Sequence, residues 1–194
     1  MGKRSEQVAK QKDKMLSASL TLFVTNGYHG TTVRDIAKAA GISVGLIFHY
    51  FPTKQDILEE LLKETDKGNA LFEKLLGSAD APLAVFSEIA RLTLESFLEK
   101  DTKHHFLLLN QILTQKSIPF HSEMVRKSGK RIRLSVSVIE KGQNDKSIKP
   151  GDPHSLALAF WGSLQGVAEA LFWHGSSSVP DYHCFIDMLR NTEG

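Results

Sequence analysis

The sequence predicts an all-α chain. Apolar residues recur at three- and four-residue spacing along almost its whole length, capping signals stand before successive apolar runs, and strands are hardly hinted at. At 194 residues it is long enough for one sizeable core, or for a small module packed on a larger one. The expected organisation is an N-terminal three-helix unit over residues 1–54, a linking helix over about 54–76, and a larger helical remainder within 55–194.

The first helix is expected over about 5–26, with Met15, Ser19 and Leu22 on one stripe and Leu16, Leu20 and Phe23 beside it; Gly27 ends it. Thr32 and Asp35 form a capping box, in which hydroxyl and carboxylate satisfy orphan amides at the start of a short helix to about 39. Ala40, Gly41 and Ile42 make a tight turn whose glycine can take the left-handed conformation, and Ser43 caps a helix to about 50. Pro52 bars continuation, and Thr53 with Asp56 offers a second capping box for the linking helix. Asp80 with Pro82 just inside marks a helix to about 99, and a densely apolar helix follows over 103–115. After Pro119 a helix to about 141 carries a basic face of Arg126, Lys127, Lys130, Arg131 and Arg133. Asp152 and Pro153 read as cap and first residue of a long helix to about 174, and a last helix is expected over 181–190.

Charge is divided unevenly. Residues 1–54 hold eight Lys or Arg against three acids, and residues 55–194 hold sixteen against nineteen. A basic N-terminal quarter favours contact with phosphates, with a solvated charged tail as the equal alternative on charge alone. The single cysteine, Cys184, cannot form an internal disulfide, and no apolar run of signal-peptide length follows the N-terminal charges, so a cytoplasmic location is expected. No window is expected to reach the roughly 20 apolar residues of a bilayer span, and no membrane partner is expected. Neither a cofactor nor a metal site is predicted: adjacent residues such as His104 and His105, or His183 and Cys184, point about 100° apart on a helix and do not share an ion easily. Without a Gly-x-Ser-x-Gly elbow, phosphate loop or dinucleotide fingerprint, the chain is not read as an enzyme.

Two short helices about a Gly-centred turn form the DNA-binding helix-turn-helix arrangement, in which the second helix enters the major groove. Small Ala37 lets the helices approach, and Ile36, Ala40, Ile42, Ile47 and Phe51 are the expected shared core. At these residues the sequence resembles the tetracycline-repressor family of bacterial regulators. The resemblance runs from Met15-Leu16 through Leu22-Phe23, Gly27-Tyr28, Thr31-Thr32-Val33 and Asp35 to Ser43. It ends with His49 to Lys54 and Ile57-Leu58, covering nearly the first third of the chain without a gap.

The resemblance implies a three-helix DNA-binding domain and a helical effector-binding domain dimerising through its last two long helices. It implies a regulator that binds double-stranded operator DNA as a homodimer and is released by a small molecule. The rival expectation is a helical dimeric interaction protein of the same fold that has lost DNA binding. The family's DNA contacts fall on Thr32, Ser43, Val44, Gly45, Leu46, His49, Tyr50 and Lys54. Helix N-termini give Thr32, Ser43 and Lys54 a physical reason to meet phosphates. Val44, Leu46 and Phe48 stand where the family often has Lys, Thr and Tyr. Val44 and Leu46 can touch thymine methyls or pack on another helix, and Phe48 is expected in the core. Lys3, Arg4, Lys10, Lys12 and Lys14 are expected to compensate through phosphates.

In the remainder, aromatics in apolar helices predict either ordinary core or a cavity for an apolar or aromatic effector, with Phe86, Phe97, Phe106, Asn110, Phe120, Trp161 and Gln165 as candidate lining. Gly162 and Gly166, four apart, offer a face for close helix approach with Glu169 and Trp173 beside it, toward either a second subunit or a neighbour within one.

Overall fold

A computed structural model describes residues 3–78, 80–175 and 178–192, with nothing said of the side chains of residues 3–5 and 100. Among the described residues there are nine helices: α1 (Lys3–Asn26), α2 (Val33–Ala40), α3 (Val44–Tyr50), α4 (Lys54–Gly77), α5 (Pro82–Ser96), α6 (Lys100–Thr114), α7 (His121–Asn144), α8 (Pro153–His174) and α9 (His183–Asp187). They contain no strand, only an isolated antiparallel bridge between Ile148 and Arg190.

Local chemistry sets most boundaries. Both expected capping boxes form, Thr32 with Asp35 at α2 and Thr53 with Asp56 at α4, and the Asp152 carboxylate caps α8 through the Ser155 amide. Gly41 closes α2 in the left-handed region at φ 68°, where a side chain would be strained.

Several helix ends differ from expectation. Ala81 rather than Asp80 precedes the first helical residue of α5, so Asp80 stands one position too early to cap it. The helix then stops at Ser96, and α6 begins three residues before the expected 103. The last helix is five residues instead of ten, because the chain leaves helical geometry to pair with the α7–α8 connection. Lys149 N donates to Leu189 O at 2.8 Å and Asn191 N to Ser147 O at 3.2 Å.

Two apolar cores result. The first joins Met15, Leu20 and Phe23 of α1, Ile36 of α2 and Ile47 of α3 to Ile57, Leu58, Leu61 and Leu62 of α4, and continues into Leu107, Leu108, Leu109 and Ile112 of α6. The second joins Phe72 and Leu76 of α4 to α5, the C-terminal half of α7, α8 and the residues around α9. Helix α4, about 36 Å long at 1.5 Å per residue, therefore has one end in each core. Between Lys63 and Leu71 it buries no apolar side chain.

The basic face of α7 turns partly inward onto α4: Lys127 pairs with Asp66 at 2.5 Å, Lys130 with Glu73 at 2.6 Å, and Arg131 donates to Asn69 Oδ1 at 3.3 Å. Helix α8 corrects one expectation: by length and composition alone it is apolar enough to cross a bilayer. Its Ala157, Phe160, Leu164 and Ala168 are wholly buried in the second core, so that apolarity serves packing on this face.

Gly142 of α7 is packed where a side chain does not fit, since an added Cβ would lie 2.6 Å from Ile148 Cδ1 and 3.0 Å from Pro82 Cβ. Gly142→Ala is expected to lower unfolding free energy by about 1–3 kcal/mol. Gly162→Ala, in open space on α8, is expected to be neutral or mildly stabilising; denaturant titration of both variants checks the contrast.

Candidate nucleic-acid interface and effector cleft

Helices α2 and α3 are held at a fixed angle by the Gly41 turn, whose Ile42 N donates to Ala37 O at 3.0 Å, and by burial of Ile36, Ala37 and Ile47. The Ser43 hydroxyl accepts from Leu46 N at 3.2 Å and starts α3. That start decides what α3 presents. Ile47 points into the core, Val44, Leu46 and Tyr50 pack partly against it, and Ser43, Gly45, Phe48 and His49 are exposed.

Phe48 is thus corrected from core to surface, at 47 % exposure, because it sits about 100° around the helix from Ile47. Val44 and Leu46 spend part of their surface on packing. Gly45 is exposed and an added Cβ there would meet nothing within 4 Å, so no contact within the subunit calls for glycine.

Thr32 is exposed beside this face, its hydroxyl donating to Asp35 Oδ2 at 2.6 Å and accepting from Asp35 N at 3.2 Å. The hydroxyl's donation, together with that of Thr32 N to the same Oδ2 at 2.9 Å, holds the Asp35 carboxyl below its ordinary range. Arg34 and Lys38, four apart on α2, are exposed cations that the sequence reading passed over; their spacing on one helix face was the available signal.

Two expected phosphate contacts are placed differently. Lys54 turns inward, donating to Tyr28 O at 2.8 Å and Thr31 O at 2.9 Å with its ammonium 4.3 Å from the Tyr28 ring centre. Burial lowers its pKa. It clamps the α1–α2 connection to the start of α4, because two carbonyls and an aromatic face offer an ammonium more than solvent does at that position. Lys12 is tied to Glu60 of α4 at 2.6 Å. Lys10 and Lys14 remain exposed, while the side chains of Lys3 and Arg4 lie outside the described residues.

The candidate pocket aromatics divide between the two cores. Phe86 meets Phe160 edge-on at 4.9 Å and Phe97 meets Phe106 edge-on at 4.8 Å, while Trp161 lies tilted against Phe72 at 5.3 Å, all in the second core. Phe120 packs instead on the first core, in a left-handed conformation at φ 68°. Asn110 and Gln165 both donate to Glu169 Oε1, at 2.7 and 3.3 Å. Trp161 Nε1 donates to Ser135 Oγ at 2.9 Å, and the Arg131 guanidinium lies 4.3 Å from the Trp161 ring centre. Burial lowers the pKa of Arg131 to about 10.

A cleft of about 690 Å³ lies elsewhere, between α1, the middle of α4 and α6, and of the seven candidates only Phe106 lines it. Of the candidate dimer residues, Gly162, Gly166 and Trp173 are exposed along α8 in line with exposed Leu158, whereas Glu169 is committed to Asn110 and Gln165 within the subunit. Among the described residues, no three His, Cys, Asp or Glu side chains gather at a metal-sized site.

Comparison with known proteins places the N-terminal residues. The family described as bacterial regulatory proteins, tetR family, matches residues 15–61. The HTH-type transcriptional repressor KstR2 of Mycolicibacterium smegmatis is 27% identical over 147 residues, covering 74% of this chain and 70% of its own. The HTH-type transcriptional regulator RutR of Escherichia coli K12 is 29% identical over 168 residues, covering 87% and 78%. The ketosteroid transcriptional regulator KstR2 of Mycobacterium tuberculosis has the same fold, with TM-score 0.75 at 18% identity over 92% of this chain and 94% of that one. So does AibR, solved with isovaleryl coenzyme A and operator DNA, with TM-score 0.70 at 17% identity over 91% and 94%.

Removing the clamp tests the inward placement of Lys54. Lys54→Met leaves two carbonyls without their donor and is expected to lower stability by about 1–3 kcal/mol. Its DNA affinity should lose less than the roughly one unit of salt slope that a phosphate-binding lysine contributes. A full unit lost with unchanged unfolding would return Lys54 to the phosphate contacts.

Proposed function

We propose that the chain, whose residues 15–61 match the tetR family of bacterial regulatory proteins, is a member of that family and a homodimeric repressor, released from its operator by a small effector with an apolar body. It is a helix-turn-helix transcriptional regulator. The observation that carries the DNA-reading role is the outward face of α3, where Ser43, Gly45, Phe48 and His49 stand clear of the subunit while Ile47 anchors the helix from behind.

Base reading falls to this face and to the outer edges of Val44, Leu46 and Tyr50, with Thr32, Arg34, Lys38, Lys10 and Lys14 positioning it on the phosphate backbone. Gly45 lets the α3 backbone approach the groove closely, since its surroundings leave space that only an external partner would fill. Apolar Phe48, Val44 and Leu46 match thymine methyl groups better than hydrogen-bonding base edges. The rival reading, an interaction protein that has lost DNA binding, took its motive from Val44 and Leu46; partial burial of both gives their apolar character a packing use compatible with DNA reading.

One subunit offers a single short reading helix, so stable operator recognition asks for two copies about a two-fold axis. The outward stripe of α8 suits that partner. Leu158 and Trp173 are 50 % and 77 % exposed, and Gly162 and Gly166 between them have open space where side chains would be. A second α8 packed there would cover large apolar side chains at both ends and approach closely in the middle.

Two measurements test the reading. The purified protein should prefer its own upstream region to random DNA at moderate salt, with affinity falling steeply as salt rises; equal binding to both sequences sinks the regulator assignment. Gly166→Leu should weaken the dimer in light scattering while circular dichroism stays helical, because the leucine has free space within the subunit and none against a second helix. An unchanged dimer moves the interface off α8.

A further inference from the structure

The cleft between α1, α4 and α6 crosses the junction between the two cores. Leu16 and Leu20 of α1, Leu61 and Leu71 of α4, and Phe106 and Leu109 of α6 form its apolar walls. Its volume of about 690 Å³ falls within the roughly 300–1,000 Å³ of small-molecule sites. It exists because the middle of α4 buries no apolar side chain and Gly68 there adds no bulk.

Polar groups restrict what fits. Thr65 Oγ1 and His105 Nδ1, both lining the cleft, are buried and have no hydrogen-bond partner among the described residues. Burial pushes the His105 pKa down although Glu64 and Asp101 oppose it, so the ring is neutral near pH 7. With hydrogen on Nε2, such a ring presents Nδ1 as an acceptor, and a threonine hydroxyl accepts as well.

The charged rim holds Asp13, Glu60, Glu64 and Asp101 against Lys63 and Lys67. Both lysines are already paired, Lys63 with Glu60 and Lys67 with Glu64, each at 2.5 Å. Asp13 and Asp101 are left in excess, Asp101 accepting among the described residues a long 3.3 Å bond from Ser17 Oγ. An anion would meet this acidic rim with both lining lysines already paired. A purely apolar molecule would leave two buried acceptors unsatisfied, a cost of about 1–3 kcal/mol each.

We propose that this cleft binds an amphipathic organic cation, an ammonium on an alkyl or aryl body. The apolar body lies along Leu20, Leu71 and Phe106, and the N–H donors reach His105 Nδ1 and Thr65 Oγ1 beneath the carboxylate rim. This deepens the effector reading above and rests on it for the consequence at DNA. A molecule seated here touches α1, which carries the reading domain, together with α4 and α6, so it discriminates between arrangements that differ in how α1 packs on the other two.

The test uses full-length protein and three probes with one tail, octylammonium, octyl sulfate and octanol, each below its micelle or solubility limit, in isothermal titration without DNA. Octylammonium is expected to bind at least about tenfold more tightly than either other probe. Gly68→Leu, which fills the cleft from a helix position with open space around it, is expected to weaken that binding by at least about tenfold while helicity is kept. The double change Thr65→Val with His105→Leu should reduce the preference of ammonium over octanol to less than about threefold. Equal affinity for the three probes, no binding of octylammonium, or full binding to a folded Gly68→Leu protein overturns the proposal. Operator binding is measured separately: a protein that ignores octylammonium yet grips its operator loses this site alone, and one that binds octylammonium but no DNA keeps the site and loses the regulator reading.

Discussion

Helix α4 is constrained at both ends by burial in different cores, and the rest of the molecule is arranged around that constraint. Ile57, Leu58, Leu61 and Leu62 are locked among α1, α2, α3 and α6, while Phe72 and Leu76 are locked among α5, α7 and α8. Burying such side chains is worth about 1.5–3 kcal/mol each, so neither end lets go of its core without loss. The start of the helix is fixed as well, by the Thr53–Asp56 capping box and by Lys54 reaching back to Tyr28 and Thr31. A stiff rod anchored at both ends carries displacement from one core to the other, which is the physical basis of the proposed coupling between effector and DNA.

The unburied middle of α4 separates two kinds of environment. On the α7 side, Lys127 and Lys130 pair with Asp66 and Glu73, and Arg131 reaches Asn69. On the α1 and α6 side lies the cleft, where Thr65 Oγ1 and His105 Nδ1 have no hydrogen-bond partner among the described residues. Arg131 is the costliest of these groups: its guanidinium rests on Trp161, its Nε has no partner among the described residues, and burial draws its pKa down to about 10. Contact with an aromatic face offsets part of the lost hydration, and arginine tolerates this better than lysine because its charge is delocalised and weakly hydrated.

Charge placement also explains why the basic N-terminal quarter and the basic face of α7 have different fates. Cations on α2, and Lys10 and Lys14 on α1, stay exposed, whereas the α7 cations facing α4 find carboxylates at short range. A cation count sees both groups alike. Helix α8 poses the same problem with apolar residues, since one face fills the second core and the other stays open at Leu158 and Trp173.

What the sequence determined by itself was most of what neighbours a few residues apart set, the unformed Asp80 cap excepted. The all-α class, both capping boxes, the Gly41 turn, the Asp152 cap and the core positions Ile36, Ile47 and Phe51 follow from residue order, because helix periodicity and capping act within about one turn. Tertiary structure decided where long side chains end. Lys54 was read as facing phosphate and turns onto backbone carbonyls 23 and 26 residues earlier in the chain; Lys12 pairs with Glu60, and Glu169 with Asn110. It decided the rotation of α3 that exposes Phe48, and the early end of α9 forced by pairing around Ile148. Above all it decided the place of the cleft. The aromatics that drew attention as pocket candidates mostly fill cores, while the open space lies where α4 has no apolar periodicity to bury, and a gap between three helices depends on how all three pack, which no local pattern records.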